Sequence, residues 1–304
     1  MHTNEVEVLA NGGWDARIVV CRNGRLVNTF VVVTARFVVL VDTMINAATA
    51  EKLVDVARPY LAAGRTLLVV NTHADYDHCW GNQLFAGPGA AYPAPILGSR
   101  LSVPLYAEAE ARAFLRQVQA DEPEIFGDVA FTPPTLLFDE RLAIAGGDLT
   151  LELFMAPGHT VDHAAIYIPE IDTLLAADGA ELPYPQARTV DGLPRMRQSL
   201  AEMAALGART VLYCHAPADA GPRLLQDNIA YFDAVEAACR AALARGVPAE
   251  PPAEADVIAL VGLPFETAVP QTPAWQAVHP HYRTAGHAAQ LRMMLAWLGV
   301  ELAA

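Results

Sequence analysis

Lysine is almost missing from this sequence: Lys52 is the only one in 304 residues, and 20 basic side chains face 34 acidic ones, for a formal net charge of −14. A surface of that sign repels phosphate backbones and anionic headgroups, so neither nucleic acid nor a membrane is an expected partner. Cysteine is scarce and unpatterned, at positions 21, 79, 214 and 239, which excludes a disulfide framework and suits a reducing compartment. Long hydrophobic runs are missing too. The longest, "FVVVTARFVVLV", is interrupted by Thr34 and Arg36 and is too short and β-branched to span a bilayer. The opening "MHTNEVEVLANGGWDAR" has no basic region followed by an apolar stretch and a cleavage site, so no signal peptide is read and a cytoplasmic location is expected. With 53% hydrophobic and 18% charged residues the chain is globular, as one large domain or two ordinary ones.

β-Branched runs alternate with helical patterns along the chain. "ARIVVC" (16–21), "LVNTFVVVTA" (26–35) and "RFVVLVD" (36–42) read as consecutive strands, with a hairpin turn at Asn23-Gly24. A helix over 47–64 leads to a short buried strand, 65–73, and "WGNQLFAG" starts another helix. A strand over 94–99 and one long helix over 100–121 follow. The second half repeats this organisation, with strands over 135–160 joined at Gly146-Gly147, two more over 164–180, a helix over 194–207 and a strand over 209–217. The tail reads as a helix over 221–246, a Pro-rich linker and a helix over 279–300 whose Leu291, Met294, Leu295 and Leu298 form an apolar stripe of the core-packing kind. Two β-rich halves with helices outside suggest two packed sheets.

The chemistry is concentrated at strand ends. "VNTHADYDHCWGN" places His73, Asp75, Asp77 and His78 within six residues after an apolar run. Two imidazoles and two carboxylates are poor core material, because ionised carboxylates are almost never buried without a partner. His159 in "APGHT", Asp178 in "LLAADGA" and His215 in "VLYCHAP" also follow β runs. Polar groups just past strand ends converge on one edge of an α/β fold, where ligand and metal sites form. Four His and three Asp are enough ligands for two ions.

These segments resemble the signature of the metallo-β-lactamase fold superfamily: an Asp closing an early strand (Asp42 in "VLVDTM"), an H-x-H-x-D-H run (here "HADYDH"), a Gly-His-Thr segment, an Asp after "LL" and a final strand-end His, in that order over residues 36 to 217. The resemblance implies an α/β fold, a four-layer αββα sandwich, with a catalytic domain over 1–220 and a helical C-terminal extension, 221–304, packed on it. It assigns His73, Asp75 and His159 to one metal and Asp77, His78 and His215 to the other, with Asp178 bridging and Asp42 bracing the loop that holds the ligands. The cofactors implied are two divalent metal ions per chain. Zinc comes first, but Asp75 stands where most members have His, and two His with one carboxylate also suit iron or manganese.

The activity implied is hydrolysis of a small ester, thioester, lactone or phosphoester by a hydroxide shared between metals about 3.5–4 Å apart, with Asp77 orienting the nucleophile and shuttling its proton. Two other classes stay open: a di-iron oxidoreductase acting on oxygen or nitric oxide with an external reductant, suggested by Asp75, and a non-catalytic metal-binding protein. The expected partner is a small-molecule substrate, and the sequence does not fix the oligomeric state. Tyr184 and Arg188, in the loop "ELPYPQARTVDGLPR", are candidates for the pocket wall. Segment 121–134 reads equally as a lid or a plain connection. Cys79 and Cys214 read as buried structural thiols, His163 as a brace for the ligands or a turn residue, and His279, His281 and His287 as surface or helix-packing groups.

Overall fold

The computed structural model describes residues 2–270 and 278–303; residues 271–277 and 304 of the C-terminal extension lie outside it. Seven strands follow one another across the first sheet: β1 (Val6–Val8), β2 (Ile18–Asn23), β3 (Val27–Val33), β4 (Phe37–Val41), β5 (Thr66–Val70), β6 (Ile96–Ser99) and β7 (Leu136–Phe138). The first four are antiparallel and β4 to β7 run parallel. The second sheet holds β8 (Arg141–Ala145), β9 (Thr150–Met155), β10 (Ala164–Ile168), β11 (Thr173–Ala177) and β12 (Thr210–Tyr213) in the order β12-β11-β10-β9-β8, antiparallel except for the β11–β12 pair.

Strand periodicity explains the near-continuous apolar runs of the second sheet. Successive side chains point to opposite faces, and in β10, β11 and β12 both faces are covered, whereas the edge strand β8 leaves Arg141, Ala143 and Ala145 exposed. Ala164, Ile166 and Ile168 of β10, and Leu175 and Ala177 of β11, join the core shared with the first sheet; Ala165, Leu174 and Ala176 join the core shared with the C-terminal helices. The helix Ala47–Ala62 covers the first sheet through Ala50, Leu53, Val54 and Ala57, while the helices Gly192–Ala205, Arg223–Ala244 and Ala285–Ala303 cover the second. The result is the expected αββα sandwich with helical C-terminal additions. Leu291, Met294, Leu295 and Leu298 are fully buried against Tyr231, Phe232 and Val235, as the stripe implied.

Several elements differ from the sequence reading. The first strand of the 135–160 run, β7, belongs to the first sheet, so the halves divide between Phe138 and Arg141. The helix read over 100–121 is broken into Ser102–Leu105 and Ala109–Asp121, because Tyr106 turns inward to join Trp80 and Phe126 in a small aromatic core. "WGNQL" forms a 3₁₀ turn in which Gly81 passes so close to the Thr43 carbonyl that a Cβ would sit 2.2 Å from it. The helix read over 279–300 is broken at Thr284 into Pro280–Arg283 and Ala285–Ala303, and the stretch between the Pro-rich linker and it, given no element in the sequence reading, carries two short helices, Val257–Val261 and Phe265–Ala268, seated by Val257, Val261 and Phe265.

Candidate metal centre

Strand ends deliver every site residue. Asp42, just past β4, adopts φ +67°, and this left-handed turn directs its carboxylate under the β5 loop. There Oδ1 accepts the Thr72 N–H at 2.7 Å and Oδ2 accepts the Thr72 hydroxyl at 2.7 Å. The helical turn Tyr76–Cys79 then presents Asp77 and His78, pinned by the Thr43 N–H to the His78 carbonyl at 2.7 Å. Gly158, at φ +142°, lets the His159 loop press against the helix Gly192–Ala205, where a Cβ would sit 2.5 Å from the Met196 nitrogen. Asp178 follows a register shift in β11 and Ala177 at φ +46°, and His215 lies two residues past β12.

The four imidazoles meet around one oxygen, with Asp75 and Asp77 flanking them on either side. Asp178 Oδ2 lies 3.6 Å from His73 Nε2, 3.3 Å from His78 Nε2, 3.6 Å from His159 Nε2 and 3.2 Å from His215 Nε2. On one side Asp75 Oδ2 is 3.4 Å from His73 Nε2 and 3.3 Å from His159 Nε2. On the other, Asp77 Oδ2 is 3.3 Å from His215 Nε2 and its Oδ1 3.9 Å from His78 Nε2. The ligand atoms of His73, Asp75 and His159 lie within 4.8 Å of one another, as do those of Asp77, His78 and His215.

The hydrogen-bond network fixes which ring nitrogens face inward. His159 Nδ1 donates to the Gln186 carbonyl at 3.1 Å and His215 Nδ1 to the Leu26 carbonyl at 2.8 Å. His78 Nδ1 donates to Asp42 Oδ2 at 2.9 Å. The Thr72 hydroxyl spends its proton on Asp42, so at 3.0 Å it accepts from His73 Nδ1. In the neutral tautomers this leaves four Nε2 lone pairs aimed at carboxylate oxygens. Lone pairs facing anions repel unless a cation lies between them, and His73 Nε2, His78 Nε2 and Asp178 Oδ1 are buried with no hydrogen-bond partner. Neutral imidazoles that anchor their outer N–H to a carboxylate or carbonyl are the usual form of metal-binding histidine. The donor set therefore fits divalent metal ions.

Electrostatics carry the same demand for positive charge. Burial alone would raise the Asp178 carboxyl, but the imidazoles of His215 and His78 outweigh it and hold it well below the ordinary carboxylate range. Burial works against an imidazolium at His78, yet Asp178, Asp77 and Asp42 pull its pKa well above the ordinary value. His215 behaves alike, with Asp178 the strongest counterweight to burial.

Of the two pocket-wall candidates, the structure brings only Arg188 to the site. Its Nη1 donates to Asp75 Oδ1 at 2.8 Å and its Nη2 reaches Asp75 Oδ2. Tyr184 is instead fully buried, stacked on Tyr231 with ring centroids 4.1 Å apart, its hydroxyl donating to the Tyr282 carbonyl at 2.7 Å. Its loop is covered by the C-terminal helices, so the ring packs where solvent was expected. Arg188 borders a cavity of about 870 Å³ that opens beside Asp75 and His159 and carries an aromatic wall of Tyr76, Trp80, Phe114 and Phe131. Phe131 comes from segment 121–134, which thus contributes to the wall.

Three further residues have a hand in the site: His163, which the sequence offered as a brace or a turn residue, and Asp162 and Glu181, which it did not single out. Asp178 N–H donates to His163 Nε2 at 3.1 Å, while His163 Nδ1 donates to the Ala156 carbonyl at 3.0 Å, so this buried imidazole braces Asp178. Asp162 accepts the Ala74 N–H at 2.9 Å and ties the His159 loop to the His73 loop. Glu181 is buried 3.6 Å from His159 Nδ1 and accepts the Tyr282 hydroxyl at 2.7 Å; burial first and then Asp178 raise its pKa. A glutamate three residues after Asp178, just past a strand, was the available hint. The four cysteines are free and buried, and His287 packs between helices, bonded to the Tyr231 hydroxyl at 2.9 Å.

An αββα sandwich with four histidines and three aspartates gathered at its strand ends defines a metallo-hydrolase class of protein. Comparison with known families agrees: the chain belongs to the metallo-beta-lactamase superfamily, whose model matches residues 22–215. Among solved structures, a metallo-beta-lactamase family protein from Thermus thermophilus is similar with a TM-score of 0.58 at 21% identity, covering 98% of this chain and 94% of that one. A metallo-beta-lactamase from Pontibacter korlensis gives a TM-score of 0.56 at 18% identity, covering 75% of this chain and 99% of the other. At those identities the likeness is one of fold. A hydroxyacylglutathione hydrolase from Pseudomonas aeruginosa (strain LESB58) is 40% identical over 76 residues, which is 25% of this chain and 29% of the enzyme's length. Among the described residues no helix is long and apolar enough to cross a membrane.

Proposed function

We propose that this chain is a two-metal hydrolase of a small thioester or carboxylic ester, with lactones and phosphoesters the neighbouring classes. The observation that carries the reading is the convergence of four imidazole Nε2 atoms on Asp178 Oδ2, each ring holding its other nitrogen against an outside acceptor. In this reading His73, Asp75 and His159 hold one ion, Asp77, His78 and His215 the other, and Asp178 both. Bound there, the ions supply Lewis acidity and a water ionised at a pH of about 7. The thioester preference draws on the short likeness to hydroxyacylglutathione hydrolase. The cavity supports a small-molecule substrate with an apolar portion against Phe114 and Phe131.

The chain's own residues then divide the work. Burial opposes the ionised form of Asp77, but His78 and His215 outweigh it and keep the carboxylate ionised, and as an anionic acceptor it would orient the nucleophile and pass its proton to the leaving group. Asp42 acts at a distance, fixing the His78 tautomer and the Thr72 backbone. The apolar wall excludes water around the scissile group. The test is turnover of a panel of thioesters, carboxylic esters, lactones and phosphate esters by zinc- and manganese-loaded protein. We expect hydrolysis that His159→Ala abolishes and Asp77→Asn slows by about 10²- to 10⁴-fold. No turnover across the panel with both metals would sink the reading.

A further inference from the structure

The two halves of the candidate centre do not stand alike, and Arg188 makes the difference. Its guanidinium spans both oxygens of Asp75, and Nη2 also lies 3.3 Å from His159 Nε2. Because His159 spends its Nδ1 proton on the Gln186 carbonyl, Nε2 is an acceptor and Arg188 donates to it. Two of the three groups of the His73–Asp75–His159 cluster are thus engaged by a positive charge from the chain itself. In the opposite half Asp77 lies against imidazoles, His215 Nε2 at 3.3 Å and His78 Nε2 at 3.9 Å, and His78 Nε2, like His73 Nε2 in the first half, is buried with no hydrogen-bond partner.

We propose that Arg188 competes with a metal ion for the His73–Asp75–His159 cluster, so that the centre fills in order, the Asp77–His78–His215 cluster first. The proposal rests on the two-metal reading above. An ion seated against Asp75 Oδ2 and His159 Nε2 must displace Nη2 from those same atoms, and two cations at such separations repel strongly in a partly buried site. Arg188 is free to yield, since its side chain is about half exposed, at 52%, and borders the cavity. Once displaced, its planar fork is available to a carboxylate in the cavity, which it matches in geometry. Binding free energies are reciprocal, so an anionic group at Arg188 and the later metal ion favour one another. The substrate class this selects carries a carboxylate beside its scissile bond.

Titration of the metal-free full chain with Co²⁺, followed by calorimetry and by visible absorption, tests the order directly. Wild type should show two steps, the second weaker. Arg188→Met keeps most of the stem and removes the charge, and its second step should tighten by about tenfold or more while the first shifts less than about twofold. Arg188→Lys, which retains charge without the paired donors, should tighten it less. Acetate should strengthen the second step in wild type but not in Arg188→Met. A second step unchanged or weaker in both variants overturns the role of Arg188 and leaves the two-metal centre standing, whereas a wild-type protein that takes up no Co²⁺ defeats the centre itself.

Discussion

Asp75 stands, by the resemblance read from the sequence, where most members of the superfamily carry His, and we propose that its surroundings give that difference a physical content. Burial alone would raise its carboxyl, but His159 and His73, together with the Arg188 charge, outweigh that and hold it well below the ordinary pKa range. An anionic oxygen donor in place of an imidazole shifts a site toward harder ions. Asp75→His should therefore raise the zinc-to-iron ratio bound in competition at equal metal activity, and an unchanged ratio would contradict this account. Asp42 makes a second prediction. Asp42→Ala removes the acceptor that fixes Thr72 and the outer nitrogen of His78, and we expect metal affinity to fall by about 10- to 100-fold with the fold retained. A third concerns pH. In the metal-free protein burial opposes charge on His78 and His215, but Asp178 leads the carboxylates that hold both above their ordinary 6.5. The folded state then binds more protons than the unfolded state above that pH, so metal-free stability falls as pH rises from 6.5 through the raised values. Metal replaces those protons, so the thermal stabilisation that saturating zinc confers should grow from pH about 6 to about 9. A stabilisation independent of pH would contradict the assignment of the inward nitrogens.

At the scale of elements, strands were the legible part of the sequence and loops the obscure one. β2, β3, β4, β5, β10, β11 and β12 are dense in apolar residues because both of their faces are largely covered, and the motif residues lie where such runs stop. The helix over 100–121 misled because "AEAEARAFLRQVQAD" is rich in good helix formers throughout, which outweighed Pro104, the local signal for the break that lets Tyr106 turn inward. The loop carrying Tyr184 and Arg188 misled for a tertiary reason. It reads as exposed, yet the last helix grips it: Gln290 accepts the Ala187 N–H at 3.2 Å and donates to the Ala187 carbonyl at 3.0 Å. Tyr184 and Asp162 owe their roles to segments far away in sequence, Tyr282 and Tyr231 for the first and Ala74 for the second, so no local pattern could reveal them. Gln290→Ala leaves both backbone groups of Ala187 buried and unpaired, which should cost about 1–3 kcal/mol in chemical denaturation. It should also weaken metal binding, because the neighbouring Gln186 carbonyl holds His159 in its tautomer. A loss of stability with metal affinity untouched would show that the loop orients His159 without help from the last helix.

For the molecule as a whole, the second sheet is shared by two cores, one facing the first sheet and one facing the C-terminal helices. We therefore propose that residues 221–304 are an integral layer and not an independent module. A chain ending at Gly246 would expose Tyr231, Phe232 and Val235, which pack on Leu291, Leu295 and Leu298 in the same core. We expect such a chain to aggregate or lose cooperative unfolding, and the full chain to unfold in one transition; a stable, metal-binding truncated form would contradict this. The same layer reaches the site through Tyr282 and Glu181, so the fold and the chemistry are joined at one place. In the proposed reading, the arrangement holds positive charge between four inward imidazoles and three carboxylates. The most direct test is anomalous diffraction at the zinc edge from crystals of the zinc-loaded protein. The account predicts two peaks, one among His73, Asp75 and His159 and one among Asp77, His78 and His215, with Asp178 touching both; density at neither cluster, or zinc bound only elsewhere on the molecule, would contradict it.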